Sequence, residues 1–319
     1  MKRTLTTLLA LCTVGLISVG MLSCRKDQTE PNIKQYDDEQ IQNYIKANNL
    51  TGYVRDQGDT TGIYYKILRA GTGKALSYTD KIFYVYTQSS LDGKFTQTDT
   101  FTYRGNNFVG EMTPSGIQLA IVNMLKNYGT QAHVLIPSHL AYGTSGSGTG
   151  STRLPGNESI DYYINMITPD NQAAYDDVSI QQYMKANGLS GYTKTSSGLY
   201  YKVTKQGTGT VKLQPGGVIG VQFTGKLFNG TMFDDFNSAT DTIASVRDYS
   251  KILKGWREGF QYVTAGAKLS LIIPSGLAYG VDYTKEPASY YGFNDGVTPG
   301  PNSCLYYDFN IVSVNNTTN

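Results

Sequence analysis

Two stretches of this chain follow the same residue order, and the duplication restricts its fold more than any single motif. Tyr36-Asp37-Asp38, Ile41, Tyr44, Ile45, Lys46-Ala47-Asn48-Asn49-Leu50 and Gly52-Tyr53 return as Tyr175-Asp176-Asp177, Ile180, Tyr183, Met184, Lys185-Ala186-Asn187-Gly188-Leu189 and Gly191-Tyr192. Gly62-Ile63-Tyr64-Tyr65-Lys66 with Gly71-Thr72-Gly73 returns as Gly198-Leu199-Tyr200-Tyr201-Lys202 with Gly207-Thr208-Gly209. Ile136-Pro137-Ser138-His139-Leu140-Ala141-Tyr142-Gly143 returns as Ile273-Pro274-Ser275-Gly276-Leu277-Ala278-Tyr279-Gly280. A repeat of this length is one folding unit used twice, and each copy is long enough to bury its own core. The copies span residues 36–168 and 173–319, joined at Thr168-Pro169-Asp170-Asn171-Gln172, where Pro169 stops the last strand of the first.

Each copy should open with a helix, because Ile41, Tyr44 and Ile45 share one face by three-and-four spacing, with acidic residues in the first turn where they favour the dipole. Strands follow. Segments 64–68, 82–87, 200–204, 218–223, 269–273 and 305–314 are rich in β-branched and aromatic residues and end at Gly, Pro or Asp turns. Within the second copy only residues 250–263 read as a helix among the strands, so the fold class is α+β, an antiparallel sheet with one short helix on a single face.

At the N-terminus, Lys2 and Arg3 precede an uncharged, largely apolar run to Leu22, then Ser23-Cys24 and the polar Arg25-Lys26-Asp27-Gln28. That pattern describes an export signal, residues 1–23, better than a membrane span. Ser23-Cys24 resembles the lipobox of bacterial lipoproteins, which implies acylation of Cys24 and a lipid tether. Residues 24–35 read as a flexible tether, poor in apolar side chains. With Lys2 and Arg3 removed, the 27 basic residues fall to equal the 25 acidic ones, so nothing attracts nucleic acid. Of the three cysteines, only Cys304 lies in the folded part, which excludes an internal disulfide, and no Cys/His spacing suggests a metal site or cofactor.

The single tryptophan lies in Ile252-Leu253-Lys254-Gly255-Trp256-Arg257-Glu258-Gly259. Before it come Val221-Gln222-Phe223-Thr224-Gly225-Lys226-Leu227 and Asn229-Gly230-Thr231-Met232-Phe233-Asp234. After it come Gly266-Ala267-Lys268, the Ile273 to Gly280 motif, and Pro301-Asn302-Ser303-Cys304-Leu305-Tyr306-Tyr307-Asp308-Phe309. Taken in this order, residues 198–314 resemble the FKBP family of peptidyl-prolyl cis-trans isomerases. The resemblance implies a twisted antiparallel sheet wrapped on a short helix. It implies a pocket with Asp234, Trp256, Tyr279 and Phe233 as its catalytic residues, and Phe223, Ile243, Ile252, Leu253 and Tyr307 binding substrate. Trp256 would be the floor, and the Tyr279 hydroxyl and the Leu253 N–H would orient substrate carbonyls. Asp234 would lie near the rotating carbonyl or orient its neighbours. Two departures stand out: Phe223 is where the family commonly has Tyr, and Pro299-Gly300-Pro301 replaces the usual Ile-Pro-Pro.

Such a pocket suits the chemistry. An Xaa-Pro bond rotates over a barrier of about 18 to 20 kcal/mol by losing amide resonance, and the twisted amide carries less charge on its oxygen than the planar one. A dry apolar pocket favours the twisted form without nucleophile or metal. The histidines, His133 and His139, both fall in the first copy, which speaks against a hydrolase triad in the second.

The first copy departs further. Gln88 follows Tyr86-Thr87, Thr96 follows Phe95 where Asp is expected, and a gap-free count back from Ile136-Pro137 puts Leu119 at the Trp256 position, while Tyr142 and Tyr162 keep their places. This reads as an FKBP-like fold with a degraded pocket, serving as scaffold, partner-binding module or spacer. The Gly/Ser run 143–150 should be flexible. Tyr290, Tyr291 and Phe293, in the long loop of the second copy, either select protein substrates or pack on one another. The resemblance implies a folding helper in a bacterial envelope, lipid-anchored at the outer membrane and facing the periplasm. Its partners would be proline-containing exported polypeptides, with a macrolide as a further ligand. The alternative is a non-catalytic binding module of an envelope complex.

Overall fold

The alternating runs pair into two separate antiparallel sheets of seven strands in a computed structural model that describes residues 32–316, apart from 59, 100–104, 151–152, 215–216, 237–243, 247–251 and 282–296. The first sheet contains β1 (Val54–Arg55), β2 (Tyr64–Arg69), β3 (Lys81–Ser90), β4 (Thr96–Asp99), β5 (Gly105–Phe108), β6 (Gln131–Ile136) and β7 (Ile160–Met166), ordered β1-β2-β6-β7-β3-β4 with β5 also on β3. The second repeats that order with β8 (Thr193–Lys194), β9 (Tyr200–Lys205), β10 (Val218–Leu227), β11 (Met232–Phe236), β12 (Ala244–Val246), β13 (Lys268–Ile273) and β14 (Leu305–Asn315). It runs β8-β9-β13-β14-β10-β11, with β12 on β10.

One short helix lies on each sheet: α2 (Ser115–Ala120) on the first and α4 (Lys254–Gly259) on the second. Both come close because each carries glycine at the contact. A Cβ on Gly116 would stand 2.3 Å from Ile136 Cγ2, and one on Gly255 2.5 Å from Ile273 Cγ2. Any larger residue would lift the helix off its core. Helix α4 is shorter than the 250–263 expected, since Phe260–Tyr262 tighten into a 3-10 turn.

A longer helix precedes each sheet, α1 (Ile33–Ala47) and α3 (Gln172–Ala186). Helix α1 begins three residues before the boundary set from sequence, with Asn32 Oδ1 accepting from the Lys34 N–H at 3.1 Å, so Ile33 to Gln35 are helix and not tether. The acidic residues accordingly miss the first turn of both helices. They serve tertiary contacts instead. Buried Asp37 accepts from the His139 N–H at 3.3 Å and meets His139 Nδ1 at 2.7 Å, while buried Asp176 accepts from the Ser275 N–H at 2.8 Å and the Ser275 hydroxyl at 2.6 Å. In each copy an aspartate of the leading helix thus pins the turn that follows the Ile-Pro-Ser motif. Within the Gly/Ser run, Ser147 is bridged to Leu154. Residues 1–31, with Cys24 and the proposed signal, lie outside the described residues, as do Tyr290, Tyr291 and Phe293. Among those described, no helix is long and apolar enough to cross a membrane, and no cluster of His, Cys, Asp or Glu is arranged for a metal.

Candidate functional site

Strands β10, β11 and β14 and helix α4 converge on one aromatic box in the second copy. Trp256 projects from α4 into the sheet and is 3% exposed. Its ring meets Phe223 edge-on at 4.9 Å, Tyr307 at 5.0 Å and 85°, and Phe309 at 4.9 Å and 88°. Phe233 meets Tyr307 edge-on at 5.7 Å. Edge-to-face packing of this kind adds about 0.5–1.5 kcal/mol per pair beyond burial, and it fixes ring orientation. The indole Nε1 is buried without a hydrogen-bond partner among the described residues.

Phe233 and Asp234 are neighbours in sequence, yet both are buried, although successive strand residues normally face opposite sides. A β-bulge resolves this. Gly225 pairs with Asp234 while Lys226 pairs with Met232, leaving Phe233 as the extra residue that the bulge turns inward. The Asp234 carboxylate accepts the Tyr307 hydroxyl at 3.0 Å, entirely within the protein. The Tyr279 hydroxyl hydrogen-bonds to that of Tyr307. Burial first, and then the nearby Tyr279 and Asp234, pushes the Tyr307 phenol well above its ordinary value; burial followed by Asp234 does the same for Tyr279. Both therefore remain protonated donors at neutral pH.

Ile252 and Leu253 are buried at the entrance to α4. Leu253 is its N-cap, with φ −54° and ψ 143°; its carbonyl accepts from the Arg257 N–H, so its own N–H lies outside the helical ladder. Tyr279 follows the 3-10 turn Ser275–Leu277 that Asp176 holds. The structure thus brings together Phe223, Phe233, Asp234, Ile252, Leu253, Trp256, Tyr279 and Tyr307 in one core cluster around the Asp234–Tyr307 bond, while Ile243 lies outside the described residues. Sequence reasoning missed Phe309 and Phe260 as box residues. Both had a signal: Phe309 is two along from Tyr307 on one strand, and Phe260 is four along from Trp256, in the 3-10 turn that continues α4.

Strand register corrects the expected equivalences in the first copy. Gln88 lies opposite Tyr162 and Gln97, as Gly225 lies opposite Tyr307 and Asp234. Gln97, not Thr96, therefore occupies the Asp234 position, because β3 and β4 pair without the bulge and Phe233 has no counterpart. The glycine contacts likewise make Ile117, not Leu119, the counterpart of Trp256. Two more residues separate Gly116 from Ile136 than Gly255 from Ile273, and the wide π-type turn Ile121–Leu125 lies in that longer connection. Leu119 is only half-buried. Gln88 fills the space that Gly225 leaves open: its Nε2 donates to Gln97 Oε1 at 2.5 Å and its Oε1 accepts the Tyr142 hydroxyl at 2.9 Å. The N-cap of α2 is Pro114, so the backbone donor supplied by Leu253 is missing.

Residues 209–312 match the model of the FKBP-type peptidyl-prolyl cis-trans isomerase family. The relatives that this segment is similar to are FkpA-like FKBP-type isomerases. The FKBP-type peptidyl-prolyl cis-trans isomerase FkpA of Buchnera aphidicola subsp. Schizaphis graminum is 34% identical over 137 residues, which is 42% of this chain and 48% of the relative. The outer membrane protein MIP of Legionella longbeachae is 30% identical over 135 residues, 41% of this chain and 51% of its own. The solved structure of FkpA from Escherichia coli is 28% identical, covers 46% of this chain and 62% of its own, and superposes with a TM-score of 0.35. The chain spans about half the length of the curated relatives it matches.

Proposed function

We propose that the second copy accelerates cis-trans rotation about Xaa-Pro bonds of exported polypeptides, as a folding helper held at a bacterial envelope by acylated Cys24. The observation that carries this reading is the buried Asp234–Tyr307 bond set in the aromatic box around Trp256. A proline ring against that box leaves water, and its amide loses polarity as it twists, so the apolar walls bind the transition state better than either planar form. Tyr279 and the Leu253 N–H supply donors for the flanking carbonyls. Asp234 either faces the rotating carbonyl or orders the hydroxyls around it. The first copy, with Gln88 in the opening and Pro114 in place of a donor, acts as scaffold, spacer or partner-binding module.

A second reading has its own support. Phe223 carries no hydroxyl, and Pro299-Gly300-Pro301 alters the approach to β14. Both fit a module that grips proline-containing segments without useful turnover. Isomerisation of an Xaa-Pro peptide, assayed alongside titration of Trp256 fluorescence with that peptide and a macrolide of the family's ligand class, separates the two. Acceleration with binding supports the isomerase, binding alone supports the module, and no binding removes the pocket assignment altogether.

A further inference from the structure

We propose that Tyr307 is a positioning residue that holds the Asp234 carboxylate through its hydroxyl, and that Gly225 is the opening that lets the two meet. The proposal rests on the isomerase reading for its activity readout, but its geometry is read from this chain's own residues. Of the box rings Phe223, on β10, and Tyr307, on β14, only the second can donate. At the equivalent places the first copy has Tyr86 and Tyr162, stacked at 5.3 Å, so the duplicate carries a hydroxyl at both positions and the second copy keeps one.

That hydroxyl reaches Asp234 Oδ2 at 3.0 Å, where the carboxylate is 1% and the phenol 0% exposed. An ionised carboxylate this deep requires donors, and a charge-assisted O–H bond is among the stronger ones. Gly225 faces both groups. A Cβ there would stand 2.5 Å from Tyr307 Cε1 and 3.2 Å from the Asp234 Cβ, so the pair can form only beside glycine. In the first copy Gln88 and Gln97 occupy these two places and bond to each other, leaving no carboxylate to hold. The hydroxyl absent at Phe223 is thus present on the neighbouring strand at Tyr307, and the wall residue read from sequence acquires a second role.

The test is a double-mutant cycle on the full mature chain, read as kcat and KM for an Xaa-Pro peptide. Tyr307→Phe keeps the ring and removes only the hydroxyl; it should lower kcat about tenfold with KM changed less than about twofold. Asp234→Asn should lower kcat as well, and the double variant should fall no further than Asp234→Asn alone. A Tyr307→Phe variant within twofold of wild type overturns the proposal, as do losses that simply multiply. Gly225→Ala provides an independent probe: it should displace the Tyr307 ring and reduce kcat comparably, and full activity there also overturns the proposal. A wild type that accelerates nothing removes the isomerase reading instead. The same cycle read in thermal midpoints then decides the Tyr307–Asp234 coupling, and additive midpoint shifts reject it.

Discussion

Gly225 and Tyr307 face each other across β10 and β14 so closely that a single added methyl would lie 2.5 Å from the phenol ring. The first copy shows what a side chain does at that place, since Gln88 ties up both Gln97 and the Tyr142 hydroxyl. Gly225→Gln should therefore close the second site. We expect loss of peptide binding by Trp256 fluorescence and a stability loss of about 1–3 kcal/mol from overpacking, measured by urea unfolding. The reciprocal pair Gln88→Gly and Gln97→Asp should not open a working site in the first copy, because Pro114 still lacks the N–H and Ile117 still stands where Trp256 would be. Isomerase activity appearing in a first-copy fragment carrying both changes would contradict this.

Trp256→Ala should abolish activity and cost about 3–5 kcal/mol, the range for a buried aromatic whose space cannot collapse. Asp234→Ala should lower activity as well. Leu119→Ala, at a half-buried position, should leave activity at wild-type level and cost far less. Ile117→Ala should destabilise the first copy by about 2–5 kcal/mol with activity retained. Paired kinetic and unfolding measurements on the four variants check the assignment, and a loss of activity from Leu119→Ala would count against the roles given to the two copies.

The duplication, the strands β2, β3, β9, β10, β13 and β14 and most of the box residues were legible in the chain, because alternation and motif order survive without an alignment, whereas Phe260 and Phe309 were not picked out. The two misplaced equivalences, Thr96 and Leu119, have different origins. Thr96 follows from matching Phe95 to Phe233, but Phe233 is the bulge residue and has no counterpart in the first copy, whereas the Leu119 count without gaps cannot see the two residues taken up in the connection that holds the wide turn Ile121–Leu125. The Tyr307 hydroxyl bond was hidden for a related reason. It depends on which residues face each other across β10, β11 and β14, and pairing register is a tertiary property. The aspartates of the leading helices were visible, yet spacing suggested a dipole role. Burial of Asp37 and Asp176 shows that they serve the turns instead.

Asp176→Ala should weaken the second copy selectively. It removes the acceptor of two bonds from Ser275, whose N–H and hydroxyl are then left in a buried place, at a cost of about 1–3 kcal/mol for the unsatisfied donor. Because Tyr279 follows this turn, activity should fall with KM rising, while the first copy keeps its midpoint. Hydrogen exchange at Ser275 and urea unfolding followed at Trp256 measure both effects, and an unchanged midpoint would show that the contact does not hold the turn.

Alkaline pH should undo this fold sooner than acid undoes the site. Burial raises the phenols of Tyr279, Tyr306 and Tyr307, and pushes Tyr44 up to about 12, from the ordinary value of 10.0. A folded-state pKa above the unfolded one means that stability from these groups is fully present below about pH 10, where both states are protonated. It is lost as pH rises from there through the folded values, because only the unfolded chain releases its protons. Between about pH 6 and pH 8 activity should vary little, since none of the proposed site residues has an ordinary pKa in that window. Absorbance of phenolate against pH, followed beside Trp256 fluorescence, should show buried tyrosines ionising together with unfolding above pH 10. Stepwise ionisation near pH 10 with the fold intact would mean that the box admits water and that its phenols are not held as described.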